Sequence, residues 1–177
     1  FAKKQGKIYY GILYKSEKTE GFMAKKFSDE VCLANYKKVQ ELFNKVIPDH
    51  SRFSVVYGCG VDVGMTNFVV VRKTTYTYSS YAVGFDTGGE EIVILPIDID
   101  MESYGSPVYL KKSEIDKAKI SWLSKEITIR DKRLPKKYIQ FSVPEMINQD
   151  PDNVVIPVKQ NEEAKRFAEF FKKSYSK

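Results

Sequence analysis

VVIPVKQNEEAKRFAEFFKK, residues 154–173, changes its period halfway along. Residues 154–158 are apolar and mostly β-branched, which predicts a strand, and Pro157 within them fits an edge or a bulge because proline gives the ladder no N–H. Asn161 then stands as a helix cap, with Glu162 and Glu163 in the first turn against the positive end of the helix dipole. Ala164, Phe167, Ala168, Phe171 and Tyr175 recur at three- and four-residue steps, and Lys172 and Lys173 suit the negative end. A helix this short is marginal alone in water, so its ring-bearing stripe must lie on a sheet.

The middle of the chain supplies that sheet. Residues 53–57 and 68–71 read as strands. Tyr76 and Tyr78 share one parity, whereas Tyr81, Val83 and Phe85 share the other, which predicts a bulge or turn at Ser79-Ser80. Asp86-Thr87-Gly88-Gly89 predicts a hairpin turn. Residues 92–99 are apolar at both parities, as in a strand buried on both sides. Three later segments alternate: Ala118, Ile120 and Trp122; Ile127 and Ile129; Ile139, Phe141 and Val143. Each has one apolar face, so together they predict an antiparallel sheet with one solvated side.

Before the sheet, Ser28 caps a predicted helix with Asp29 and Glu30 in its first turn. Val31, Tyr36, Val39, Leu42, Phe43, Val46 and Ile47 form its apolar stripe, and Pro48 ends it. Residues 8–14 (IYYGILY) predict a strand, with 22–27 as its partner across a turn at 16–21. The chain divides accordingly into an N-terminal strand and helix extension, 1–52, and a sheet-and-helix domain, 53–177.

With 177 residues, the chain is long enough for a proper core. At 42% hydrophobic and 29% charged residues it is neither disordered nor fibrous. No apolar run approaches the roughly 18 to 20 residues that a membrane-spanning helix needs. One His and two Cys exclude most zinc sites and any disulfide framework, and Cys32 and Cys59 are expected as free thiols. The net charge of +6 favours anionic lipid, nucleic acid or an acidic protein through general attraction rather than base reading, so no specific nucleic acid is expected as partner. The first residue is Phe1 rather than Met, as in a trimmed or processed product. A cytoplasmic location is expected, with attachment to a membrane through a segment upstream of Phe1 as its variant.

About seven strands followed by one amphipathic helix is an order that resembles the bacterial pleckstrin-homology-like, or GRAM-like, domains. Residues 81–177 carry the resemblance, through the hairpin YAVGFDTGGEEIVILPID at 81–98 and the strand-into-helix ending at 154–173. It implies a mainly β (α+β) fold: a bent antiparallel β-barrel capped by the C-terminal helix, with the N-terminal region as an addition. It also implies a non-enzymatic binding or interaction module without a cofactor. Eukaryotic lipid-binding members place basic residues around the first hairpin, where this chain offers Arg72 and Lys73 followed by Thr, Tyr and Ser.

The densest basic cluster is Arg130, Lys132, Arg133, Lys136 and Lys137, in a predicted strand-to-strand loop. It is a candidate site for an anionic group, and Lys117 and Lys119 on an outward strand face widen it. Gly58-Cys59-Gly60 with Gly64 has no capped helix after it, so it predicts a loop or strand bend rather than a phosphate cradle. Cys59 as a nucleophile would need His50, the sole histidine, as its base. Asp98, Asp100 and Glu102 alternate like hard-cation ligands, but they fit an acidic strand end better, and no metal is expected. Tyr76, Tyr78 and Tyr81 are expected to pack across strands rather than stack on bases. The alternatives to a binding module are self-assembly into a homo-oligomer through a sheet edge and a hydrolase of unknown type.

Overall fold

The computed structural model describes residues 26–67, 72–88, 91–121, 123–134, 136–150 and 154–175, with backbone alone at 62–67 and 72–77. The expected strands at 8–14 and 68–71, and all but the last two residues of the one at 22–27, lie outside the described residues. The elements in chain order are α1 (Asp29–Val46), a 3-10 turn (His50–Arg52), β1 (Phe53–Asn67), β2 (Arg72–Asp86), β3 (Glu91–Ile97) and β4 (Val108–Lys111). There follow β5 (Lys117–Ile120), β6 (Ile127–Arg130), β7 (Tyr138–Phe141), β8 (Met146–Ile147), β9 (Val158–Lys159) and α2 (Asn161–Ser174). The fold is mainly β, in three antiparallel sheets ordered β1-β2-β3-β4, β5-β6-β7 and β8-β9. Among the described residues the first two sheets meet through one isolated bridge, Cys59 to Ser142, and do not close into a barrel.

Along β3 and the stretches of β1 and β2 beside it, the four-stranded sheet is buried on both faces. One face places Val55, Tyr57, Ala82, Val93, Leu95 and Ile97 under Tyr36, Val39 and Phe43 of α1 and Ile47 just after it. The other places Val56, Val83, Phe85, Ile92 and Ile94 against Ile127, Ile129 and Phe141 of the three-stranded sheet and Phe167, Phe171 and Tyr175 at α2. This is why residues 92–97 are apolar at both parities: β3 lies between two cores. The rings of α2 are sheltered as expected, with Phe85 lying 5.2 Å from Phe167 and 5.1 Å from Phe170 between ring centres.

Helix α1 begins at Ser28, whose Oγ accepts the Val31 N–H at 3.4 Å. Its stripe departs from expectation at the first turn: Val31 is 42% exposed, and Cys32 is buried instead. Counting back one turn from Tyr36 gives Cys32, in phase with Val39 and Phe43, so the thiol rather than the valine faces the sheet. Cys32 and Cys59 are both free.

Strand β2 runs without interruption through Ser79-Ser80, paired with β1 from Asn67↔Arg72 to Phe53↔Asp86, so the expected break is absent. The change of parity has another cause. The face under α1 carries the small residues Ser80, Ala82 and Gly84: Phe43 of the helix comes down on Gly84, and Ser80 Oγ lies 2.9 Å from Tyr57 Oη. A Cβ built at Gly84 would collide with Phe43 Cζ and lie 2.8 Å from its Cε2.

Residues 58–60 are likewise interior to β1 and not a loop. Their glycines answer to β7, which crosses β1 there through the Cys59–Ser142 backbone pair at 2.9 and 2.8 Å. A Cβ at Gly60 would lie 2.5 Å from the Gln140 carbonyl oxygen, and one at Gly58 would lie 2.9 Å from the Phe141 ring. Glycine inside a strand marks close approach by another chain segment.

The cap of α2 is Gln160, one residue before the expected Asn161, and its side chain does not bond the helix. It turns to β1 instead. Its Oε1 accepts the Tyr57 N–H at 2.7 Å, and its Nε2 donates to the carbonyls of Tyr57 at 2.9 Å and Pro144 at 2.8 Å. The carboxamide acts as a short stretch of neighbouring strand. On the same edge of β1, Tyr36 Oη donates to the Val55 carbonyl at 2.7 Å, and Ser142 pairs with Cys59. Three different elements thus satisfy an edge that would otherwise be open.

The expected strand at 154–158 shrinks to Val158–Lys159, paired with β8. The preceding N–H groups find other acceptors: Asp150 takes those of Val154 and Val155 at 3.0 and 3.2 Å, and Tyr57 Oη takes that of Ile156 at 3.1 Å.

Candidate functional site

The three-stranded sheet has the solvated side that its alternation predicts. Register puts Lys117 opposite Arg130, and Arg130 opposite Tyr138. The next row is Lys119, Thr128 and Gln140. Directly opposed residues share a face, so these six side chains form one outward surface. Lys117, Lys119 and Arg130 are exposed, and none of the three makes an ion pair among the described residues. Lys117, Lys119, Thr128 and Arg130 line a shallow depression of about 60 Å³.

The loop between β6 and β7 holds the rest of the expected cluster and divides it. Asp131 is buried, and its carboxylate accepts from Arg133 N at 2.8 Å, Nε at 2.9 Å and Nη2 at 2.5 Å. Arg133 also reaches Glu114 at 2.5 Å. Its bonds to Asp131 hold that carboxyl below the usual carboxylate range, and Arg133 in turn is held more firmly protonated. Arg133 is therefore a brace for the loop, paired to both acids, unlike Lys117, Lys119 and Arg130 on the sheet. Leu134 is buried beneath the loop, and Lys132, Lys136 and Lys137 are exposed along it. The structure thus joins Lys117, Lys119 and Arg130 on the sheet and leaves the three loop lysines as a neighbouring fringe.

Thr128 and Tyr138 belong to this face and were not among the expected site residues. Their signal was present in the alternation, because each has the outward parity of its strand. Tyr138, at 40% exposure, puts an aromatic ring beside the guanidinium row. At the far end, Gln140 Nε2 donates to Glu126 at 2.5 Å.

The other candidate groups are engaged elsewhere. Burial pushes the Cys59 thiol up to about 11, so it is protonated at neutral pH. His50 Nδ1 lies 3.2 Å from the Ile47 carbonyl oxygen. Asp98 accepts from Ser103 Oγ, and Asp100 accepts from the Glu102 N–H at 2.9 Å, so this acidic run folds back on its own turn. Among the described residues no group of three or more His, Cys, Asp or Glu side chains is placed to hold a metal ion. Tyr81 packs on Phe141 with ring centres 6.0 Å apart, while Tyr78 is exposed; the side chain of Tyr76 lies outside the described ones. A wider cleft of about 470 Å³ lies between α1 and the start of α2, lined by both Lys159 and Lys165 and by Glu162 and Glu163. Its polar floor, Tyr36 and Gln160, is already hydrogen-bonded within the protein.

Among the described residues no helix is long and apolar enough to cross a membrane. Comparison with protein-family models, with curated proteins and with solved structures finds no match to this chain.

Proposed function

We propose that the chain is a non-enzymatic binding module that presents the outward face of β5–β7 to an anionic membrane surface. The observation that carries this reading is the grouping of Lys117, Lys119 and Arg130 on one solvated sheet face without an ion-pair partner among the described residues. Lys132, Lys136 and Lys137 extend the positive field beside it. A pleckstrin-homology-like architecture is part of the same proposal. It is supported by an antiparallel sheet of four strands, then one of three, then a helix that carries its rings to the core between them.

Each cation near an anionic surface contributes about 1 kcal/mol. Changing Lys117, Lys119 and Arg130 together to Gln is therefore expected to weaken sedimentation with anionic vesicles by about a hundredfold at low salt. Raised salt is expected to weaken the unchanged protein as well, because exposed charges are screened. If the unchanged protein does not sediment with anionic vesicles even at low salt, the membrane is excluded and an acidic protein partner takes its place.

The edge of β1 favours a second role, self-assembly. β3 pairs with β2 only over Ser80–Phe85, so the β1–β2 ribbon runs on beyond the sheet. Past Cys59, the outer edge of β1 has no ladder partner among the described residues. Such an edge is a template for a second copy. Light scattering over a rising concentration series is expected to show dimer if this edge pairs, and a constant monomer mass removes the role.

A further inference from the structure

We propose that Lys117, Lys119, Thr128 and Arg130 form a seat for a single phosphate monoester group, an inference that rests on the basic-face reading and sharpens it. Three observations carry it. First, Lys117 lies directly opposite Arg130 across the β5–β6 ladder. Like charges in that position repel each other and destabilise a sheet. None of the nearby acids forms an ion pair with either among the described residues: Asp131 and Glu114 are bonded to Arg133, Glu126 accepts from Gln140, and Asp116 makes no ion pair.

Second, the donors match the charge and shape of a monoester. Such a group carries close to two negative charges near neutral pH and three terminal oxygens. The Arg130 fork suits two of those oxygens, the two ammonium groups add compact charge, and the Thr128 hydroxyl supplies a neutral donor. A diester has one charge and two free oxygens, and a carboxylate is planar, so each leaves part of the seat unused. Third, these four side chains line one small depression of about 60 Å³, more than a single water needs, so a compact anion can settle among them while the rest of its ligand stays outside. A lipid headgroup and a soluble phosphorylated compound share this chemistry.

The test follows backbone amides by NMR while the full chain is titrated with inorganic phosphate at constant ionic strength. Saturable shifts confined to residues 117–120 and 127–130 are expected. Arg130→Gln and Lys117→Gln are each expected to weaken them about tenfold, as loss of one charge-assisted contact implies. Both residues are exposed, so an unchanged amide spectrum without phosphate shows that each variant folds. Vesicles of phosphatidic acid and of phosphatidylglycerol, matched in surface charge, then separate the sources. Preference for phosphatidic acid assigns the seat to a lipid headgroup, and equal binding alongside saturable phosphate shifts assigns it to a soluble compound. Shifts that never saturate and spread equally over Lys132, Lys136 and Lys137 overturn the seat, while vesicle binding by the same protein leaves the basic face standing. If neither phosphate nor vesicles bind, the seat and the membrane both fall, and the basic face is left to an acidic protein partner.

Discussion

Gly84→Ala is expected to destabilise the protein by about 3 kcal/mol, at the upper end of what overpacking a core costs. The added methyl would meet Phe43 Cζ, Cε2 and Cε1 together. Phe43 is fully buried, and its ring sits edge-on to Phe53 with 6.0 Å between centres, so it has little room to rotate away. Urea unfolding measures the loss as a lower midpoint at unchanged slope. A second substitution separates this mechanism from a general weakening of the strand. Phe43→Ala alone should cost about 3 to 5 kcal/mol by opening a cavity. In the Gly84→Ala background the same change should cost at least about 1 kcal/mol less, because the new methyl occupies part of the space vacated. If the two costs simply add, helix α1 does not bear on Gly84 as described.

Gln160→Leu is expected to cost a comparable amount, about 4 kcal/mol. The substitution strips partners from the Tyr57 N–H, the Tyr57 carbonyl and the Pro144 carbonyl. Each polar group left unpaired inside a protein costs about 1 to 3 kcal/mol. Gln160→Glu tests the geometry more sharply. A carboxylate still accepts from Tyr57 N, but it sets its second oxygen against two carbonyl oxygens. Only the protonated acid donates to one of them, so the folded state raises the carboxyl's affinity for its proton. Any stability that proton supplies is present at low pH and is lost as pH rises through the folded-state value. The gap between Gln160→Glu and the unchanged protein, measured by urea unfolding, should therefore be wider at pH 7 than at pH 4. A gap that is the same at both values, or that narrows at pH 7, rules out the two carbonyl contacts.

These two positions mark where inference from residues stopped. Gly84 looked like an ordinary strand residue, because the reason for a glycine there lies on α1, far off in the chain. Gln160 looked like the residue before a cap, because the partners of its carboxamide lie on β1 and beside β8. The supposed break at Ser79-Ser80 came from the same blindness: small residues under a helix erase the apolar signal of a buried face. The candidate site was half legible. Five of its seven cations were near one another in sequence, but only Arg130 of those five shares the sheet face with Lys117 and Lys119, and Arg133 is spent on Asp131 and Glu114.

Local periodicity was enough to establish that α2 exists, which of its sides carries the rings, and that β5, β6 and β7 each have one wet face. Those features follow from spacings of two, three and four residues, and every such spacing is short-range. Ladder register settled the rest: that Lys117 faces Arg130, that Gly60 passes under Gln140, and that Gln160 finishes the edge of β1. Register joins residues tens of positions apart, and it is chosen by how all the buried faces fit together at once, so no window of the chain contains it.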